Sequence, residues 1–449
     1  MVAPQARAKL RGEHPSHCSQ AGRRIPMTTV SAPAPGARRA ALVFIFITVL
    51  IDVLSFGLII PVLPHLIEKF VDGDTARAAY WVGLFGTVFA LIQFVFSPIQ
   101  GSLSDRYGRR PVILLSCLGL GLDFILMAVA NSLPLLLIGR VISGITAASF
   151  TTANAYIADI TAPEQRAKSF GMIGAAFGVG FVIGPLIGAY LGEVDLRLPF
   201  WFAAGLALLN FFYGLFVLPE SLPPQRRTAR FDWAHANPFG ALMLLKRYPQ
   251  VFGLAAVVFI ANVAHYVYPS IFVLFADYQY HWGLREVGWT LLVVGVCNII
   301  VNVALIGRAV ARLGERRTLL LGLACGVAGF VIYGLADHGW LFLLGLPISA
   351  LWAMAPPATQ ALLTRQVEAD AQGRIQGALM SLIALAGVFG PGLYAGSFGY
   401  FIGKHAPVHL PGAPWFIAAG LLALGWLIAW RYARAPAAPA GPAAAEAAA

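Results

Sequence analysis

Charge is what this sequence has least of. Only 11% of its 449 residues are Asp, Glu, Lys or Arg, while 59% are hydrophobic and the mean hydropathy is +0.75. A soluble domain cannot bury that much apolar side chain, so most of the solvent of this chain is lipid. Cysteine is equally scarce. The four present, at 18, 117, 297 and 325, show no CxxC spacing, which argues against a disulfide framework or a thiolate metal site. Of the nine scattered histidines only His405 and His409 have His-x3-His spacing, and no HExxH pattern or carboxylate cluster accompanies them, so intramembrane metalloenzyme chemistry is not expected. We expect no catalytic activity, no cofactor and no metal.

Residues 1–38 are polar and Pro/Ala-rich with no apolar run, unlike a cleaved signal peptide, and are expected to be disordered. Met27 is an alternative start. The tail over 433–449 is Ala/Pro/Gly-rich and is expected to be disordered too. No basic, aromatic-interleaved surface domain accompanies the net charge of +11, so nucleic acid is not an expected partner.

What the chain has in abundance is long apolar runs. Twelve reach the length of about 20 residues that spans a bilayer as a helix. They begin near residues 41, 79, 111, 133, 168, 198, 250, 286, 318, 339, 375 and 411. Sixteen Lys and Arg residues, from Arg106 to Arg374, fall in the loops of one face, whereas the other face receives Lys69, Arg77, Arg197, Arg285 and Lys404. Basic loops stay cytoplasmic, so both termini are expected inside a bacterial-type inner membrane. The net charge is thereby topological.

The runs repeat. Gly101-Ser-Leu-Ser-Asp105-Arg106-Tyr-Gly108-Arg109-Arg110 returns in weaker form at Gly307-Arg308 to Gly314-Glu-Arg-Arg317, 206 residues later, and the same offset relates Gly171 to Gly377 and Gly184-Pro185 to Gly390-Pro391. An all-α membrane protein of two pseudo-symmetric six-helix bundles follows. The first is expected over 39–218 and the second over 249–432, joined by a cytoplasmic linker at 219–248 whose Asn237–Arg247 stretch suits the membrane surface.

Ionisable residues inside spanning helices are costly, on the order of 3 kcal/mol, and tend to mark pathways. Asp52 lies midway along helix 1, Asp123 in helix 3 and Arg140 in helix 4. Their counterparts at the 206-residue offset are Val258, Gly329 and Leu346, so the ionisable machinery belongs to the first bundle. Asp52 reads as a proton carrier, because desolvation favours its neutral form and a nearby cation its charged form, or as a static ion pair that aligns helices. Asp123 is expected nearer one membrane face, as a relay or as a hydrated structural residue. Arg140 does not titrate and acts by biasing a neighbour. His265 in helix 7 is either a proton sensor or a neutral packing group. Gln93, Asn298, Asn302 and Gln360 line a cavity or bond between helices. Gly180, Gly184, Gly188 and Gly192 share one helix face, a packing seam or, with Pro185, a hinge.

Gly101 to Arg110 resembles the signature loop between helices 2 and 3 of the major facilitator superfamily, and Gly171 to Gly188 resembles the helix 5 motif of its drug:proton antiporters. More closely, IDVLSFGLIIPVLPHL, LIQFVFSPIQGSLSDRYGRRPVILL, GRVISGITAASFTTANAYIADIT, LPESL and TQALLTRQVEADAQGRIQGAL resemble the tetracycline-efflux subfamily over almost all of 41–432. The resemblance implies alternating access around a central cavity and export of a drug-like small molecule in exchange for protons, by a chain expected to work as a monomer. It also implies roles: Asp52, Asp123 and Arg140 in proton coupling, Gln93 in the cavity, and Gly101, Asp105, Arg106, Gly108 and Arg109, with Gly184 and Pro185, in gating. Two departures stand out. Asn298 replaces a helix 8 histidine and Gly326 an acidic residue of helix 9, which leaves tetracycline itself open as substrate. Proton-linked transport of a sugar or organic acid is the alternative.

Overall fold

The computed structural model describes residues 35–146, 149–161, 165–228, 249–366 and 372–433. The readings above for the start of the N-terminal tail, for Asn237–Arg247 and for the residues from 434 onward lie outside these. No strand occurs among the described residues; backbone in lipid must satisfy its own hydrogen bonds, and helices do so within one segment.

Twelve spans result. Span 1 is Pro35–Ile59 continued by Val62–Phe70; spans 2 and 3 are Thr75–Tyr107 and Arg109–Val129; span 4 is Leu133–Thr146 with Ser149–Ile160; spans 5 and 6 are Arg166–Val194 and Leu198–Val217. Span 7 is Pro249–His265 with Val267–Tyr280. Spans 8 and 9 run through one nearly continuous stretch from Leu284 to Leu335, divided at Gly314. Span 10 is Gly339–Ala350 with Ala355–Arg365, span 11 is Gln372–Ile402 and span 12 is Ala413–Tyr432.

The internal repeat extends to backbone detail. Gly108 (φ 110°, ψ 159°) separates spans 2 and 3, and Gly314 (φ 75°, ψ 164°), 206 residues on, separates spans 8 and 9. Both conformations are open essentially to glycine alone. One break also recurs at the same offset. Span 1 is interrupted before Pro61 and span 7 at Tyr266, while span 10 carries a 3-10 turn at Leu351–Met354 ahead of Pro356 and Pro357.

Within the first bundle, spans 1 and 5 cross with almost no space between backbones. A Cβ on Gly184 would meet Leu54 O at 2.8 Å and Gly57 Cα at 2.9 Å; on Gly180, Leu54 N at 3.0 Å; on Gly192, Val62 Cγ2 at 2.9 Å. Gly180, Gly184 and Gly188 are therefore a packing seam inside one bundle, which Gly192 extends to Leu284 of span 8, and close approach in lipid rests on such small residues.

The two bundles touch mainly through spans 2 and 11 and through spans 5 and 8, with smaller contacts of span 7 to spans 1 and 2, and only along part of their length. Gly83 and Gly86 face Ala395 and Pro391, Gly399 faces Ala76 O, and Gly288 faces Ala189. All lie toward the face opposite the basic loops. Toward the basic face, Gly171, Gly174 and Gly178 of span 5, Gly101 of span 2, Gly307 of span 8 and Gly377 of span 11 have open space where a Cβ would stand. Among the described residues, the molecule is closed on one face and parted on the other.

Candidate transport site and gates

The first candidate site is buried between spans 3 and 4. Asp123 is 0% exposed and Arg140 is 7% exposed, and Arg140 Nη2 reaches Asp123 Oδ2 at 3.4 Å, Ser143 Oγ at 3.3 Å and Met127 Sδ at 2.7 Å. The Ser143 hydroxyl donates to the same carboxylate oxygen, and the guanidinium lies 5.8 Å from the centroid of Phe89 on span 2. Gly139 makes the approach feasible, since a Cβ there would stand 2.8 Å from Asp123 Oδ1. Asp123 is thus buried by span packing rather than exposed as a hydrated residue. Asp123 Oδ1 and Arg140 Nε are buried without a hydrogen-bond partner. Such a half-made pair has polar atoms left over for a different arrangement.

Asp52 lies on span 1, half-buried and engaged by its surroundings. It acts electrostatically on the Cys117 thiol of span 3. Cys117 accepts from Asn210 Nδ2 at 3.5 Å, and Thr48, one turn before Asp52, donates to Asn210 Oδ1 at 3.3 Å. A thin polar thread therefore joins spans 1, 3 and 6 through an otherwise apolar interior.

The second bundle builds the same place from rings. Ser349, the counterpart of Ser143, bonds the Tyr333 hydroxyl at 2.5 Å. Gly329, the counterpart of Asp123, packs against it, with a Cβ there 2.6 Å from Ser349 Cβ. Tyr333 stacks on Phe342 at 4.2 Å between centroids, and Trp415, Tyr268 and Phe330 surround the pair. His265 is exposed although it ends a spanning helix, with the Trp352 ring at 5.7 Å and the Tyr268 ring at 6.0 Å, as a group lining an interior opening would be.

The other expected polar residues separate into two groups. Asn298 Nδ2 donates to Val294 O at 3.0 Å and Asn302 Nδ2 to Asn298 O at 2.8 Å, the first just before and the second within a π-helical turn at Val301–Leu305. Such turns are rare and frequent at functional sites. Gln93 lies one turn below Ala90, where the contact of span 2 with Gly387 of span 11 ends, and Gln360 is half-buried on span 10 two turns past Trp352. Among the hydrogen bonds of the described residues, none links these four to the Asp123–Arg140 pair.

The basic-face loop is a locked knot. Arg109 Nη1 meets Asp105 Oδ1 at 2.6 Å and Ser104 Oγ at 2.8 Å, while its Nε meets Asp159 Oδ2, at the end of span 4, at 3.1 Å. Glu220 caps span 3, accepting from the Arg109 and Arg110 amides at 2.8 and 3.3 Å, and pairs with Arg227 at 3.7 Å. A carboxylate at a helix N-terminus is stabilised by the unpaired amides and the helix dipole. Arg106, by contrast, is exposed over the Tyr107 ring. Asp159 and Glu220 were not singled out from sequence. The signal existed: an acidic residue ending each of two apolar runs that emerge on the basic face.

The opposite, closed face holds a bridge between bundles. His65 Nδ1 of span 1 stands 3.8 Å from Glu68 Oε2 and 3.7 Å from Asp277 Oδ2 of span 7.

These features coincide with what the chain is similar to. The sequence model of the Major Facilitator Superfamily matches residues 45–391 and, in a second match, 254–449. "Tetracycline resistance protein, class C" of Escherichia coli is 38% identical over 351 residues, covering 78% of this chain and 88% of the relative. "Tetracycline resistance protein, class H" of Pasteurella multocida is 33% identical over 88% of this chain and 97% of the relative. Among solved structures, a human organic anion transporter aligns with a TM-score of 0.64 at 23% identity, covering 87% of this chain and 99% of its own. A D-xylose-proton symporter aligns at 0.68 and 18% identity, covering 88% and 97%. With a family match over most of its length and the two-bundle fold in place, this chain belongs to the major facilitator superfamily.

Proposed function

We propose that this protein is a proton-coupled exporter of a small amphiphilic, drug-like compound, working by alternating access between the two faces of a membrane. The observation that carries the reading is the asymmetry of chemistry on a symmetric frame. Aspartate and arginine at membrane depth concentrate in the first bundle, at Asp52, Asp123 and Arg140, and the matching region of the second is aromatic. The first bundle is suited to handle the proton and the second to hold an apolar, ring-bearing substrate. Similarity to tetracycline resistance proteins supports the same direction of transport.

In this reading Asp52 takes up and releases the proton, and Arg140 biases the protonation of the carboxylates around it through Asp123. Gln93, His265, Asn298, Asn302 and Gln360 line the substrate path. Gly101, Asp105, Arg106, Gly108 and Arg109 gate the basic face, and the Gly184-Pro185 segment carries span 5 as it tilts. The bundles move as units of about 39–218 and 249–432, the chain works as a monomer, and both termini lie in the cytoplasm. The state described is then inward-open. Each proton entering down its gradient supplies about 2.3 kcal/mol per 100 mV.

Proteoliposomes with an imposed pH gradient test this. Tetracyclines and other amphiphiles should drive proton movement in the wild type and not in Asp52→Asn. Flux driven by a sugar or organic acid instead would replace the substrate class, and drug-driven flux indifferent to Asp52 would remove its role.

A further inference from the structure

We propose that His65, Glu68 and Asp277 form a binding site for a divalent transition-metal ion such as Zn2+, complete only while the bundles are closed on the face opposite the basic loops. His65 and Glu68 stand three residues apart on the short helix Val62–Phe70, hence on one face of it. Asp277 comes from the other bundle. One donor atom from each lies within 4.8 Å of the others, and the two distances from His65 Nδ1 are 3.7 and 3.8 Å. Donors bound tetrahedrally at roughly 2.0–2.2 Å from a zinc ion are about 3.4 Å apart, so small side-chain shifts suffice.

The chemistry favours a cation. Two carboxylates from opposite bundles meet here, and a single imidazole offsets at most half their charge. Thr75 donates to Glu68 Oε1, which holds the carboxylate so that Oε2 is the oxygen nearest His65. One nitrogen and two oxygens make a donor set of intermediate softness, suited to Zn2+ and its first-row neighbours rather than to Ca2+ or Mg2+, which take oxygen alone. Asp277 is 36% exposed and supplies the way in, while His65 and Glu68 are 16% and 15% exposed. His281, at the end of the helix bearing Asp277, adds a second imidazole within electrostatic range.

Because the ligands are divided between the bundles, parting them on this face breaks the site. Metal binding therefore stabilises the closed-face state by its full differential affinity. The binding site needs no transported substrate; only its effect on turnover rests on the exporter reading.

Isothermal calorimetry on the full-length, chelator-stripped protein in nanodiscs, titrated with Zn2+ alone, tests the site. His14, His17 and Cys18 of the N-terminal tail offer competing donors and are replaced by alanine throughout. One ion per chain is expected, with affinity weakened roughly tenfold or more in each of His65→Ala, Glu68→Gln and Asp277→Asn. Zn2+ should also slow turnover of the parent and not of Asp277→Asn. Absence of binding, or binding indifferent to all three substitutions, overturns the site. Site-specific binding with unaltered turnover overturns the clamp alone, and a protein that binds Zn2+ in this way but moves no proton with any drug leaves the site standing and removes the exporter reading. The three variants sit on two separate helices, so misfolding of one leaves the test intact.

Discussion

Arg109 and Glu315 occupy equivalent positions 206 residues apart and carry opposite charges. Their partners, Asp159 and Arg365, are equivalent as well, so the same ion pair is built twice with its polarity reversed, at 3.1 Å in the first bundle and 2.8 Å in the second. Neighbouring bonds keep their sense: Arg110 donates to Leu215 O at 2.7 Å, and Arg316 donates to Trp430 O at 2.8 Å, each near the end of the last span of its bundle.

Reversal has unequal consequences in the two bundles. Asp105 sits beside Arg109, whereas the position equivalent to Asp105 is Ala311. Exchanging Glu315 and Arg365 should leave stability within about 1 kcal/mol, because Arg365 is solvent-exposed. Exchanging Arg109 and Asp159 places a carboxylate against Asp105 and should cost about 2 kcal/mol. Denaturation midpoints in micelles, compared between the two exchanges, check the difference.

The buried pair behaves differently. Arg140→Ala leaves the Asp123 carboxylate without its cation at 0% exposure and should destabilise by about 3–5 kcal/mol or stop folding. Replacing both residues together, as Asp123→Leu with Arg140→Met, should recover thermal stability while proton-coupled flux stays lost. Recovery of flux in the double variant would place proton coupling elsewhere.

Glycines of span 5 divide into two classes. Gly184→Ala and Gly188→Ala drive a methyl into Leu54 O and Leu58 O and should lower thermal stability by about 1–3 kcal/mol. Gly174→Ala and Gly178→Ala meet open space here. They should leave stability unchanged, yet reduce transport if the basic face closes over them, which drug-dependent flux and unfolding measured side by side will show.

The hinge glycines offer a matched comparison. Alanine at Gly314 costs only the backbone conformation, on the order of 1–3 kcal/mol. At Gly108 the same methyl also strikes the Glu220 carboxylate and comes within 2.9 Å of Arg227 Nη2. Gly108→Ala should therefore be the more destabilising in thermal unfolding, and should release the cap on span 3.

Much of the architecture was legible in residue order. Span starts expected near 133, 198 and 339 coincide with helices beginning at Leu133, Leu198 and Gly339. Apolar length alone dictates this, because lipid offers backbone no partner. The first span starts at Pro35, earlier than the expected end of the tail at 38. The helix breaks at Ile60 and Tyr266 were not foreseen, since the apolar pattern runs on through them.

Site residues were legible by type more than by partner. Asp123, Arg140 and Asp52 were visible as charges in apolar runs, but nothing in their spacing said that Arg140 would pair with Asp123 or that Asp52 would lie near Cys117. Asp159, Glu220, His65 and Asp277 were missed because each lies near the end of an apolar run, where a charge is cheap and uninformative.

Composition, apolar length and the 206-residue period determined on their own that this is a twelve-span membrane protein whose Asp and Arg residues within apolar runs lie in its first half. They could do so because hydrophobic length and repeat symmetry are properties of residue order. Tertiary structure alone decided which face is closed, which charges meet and how the second bundle fills the place of the missing ion pair. Those depend on the relative placement of helices far apart in the chain, and in lipid that placement is set by the close packing of small residues such as Gly184 against Gly57 and Gly83 against Ala395.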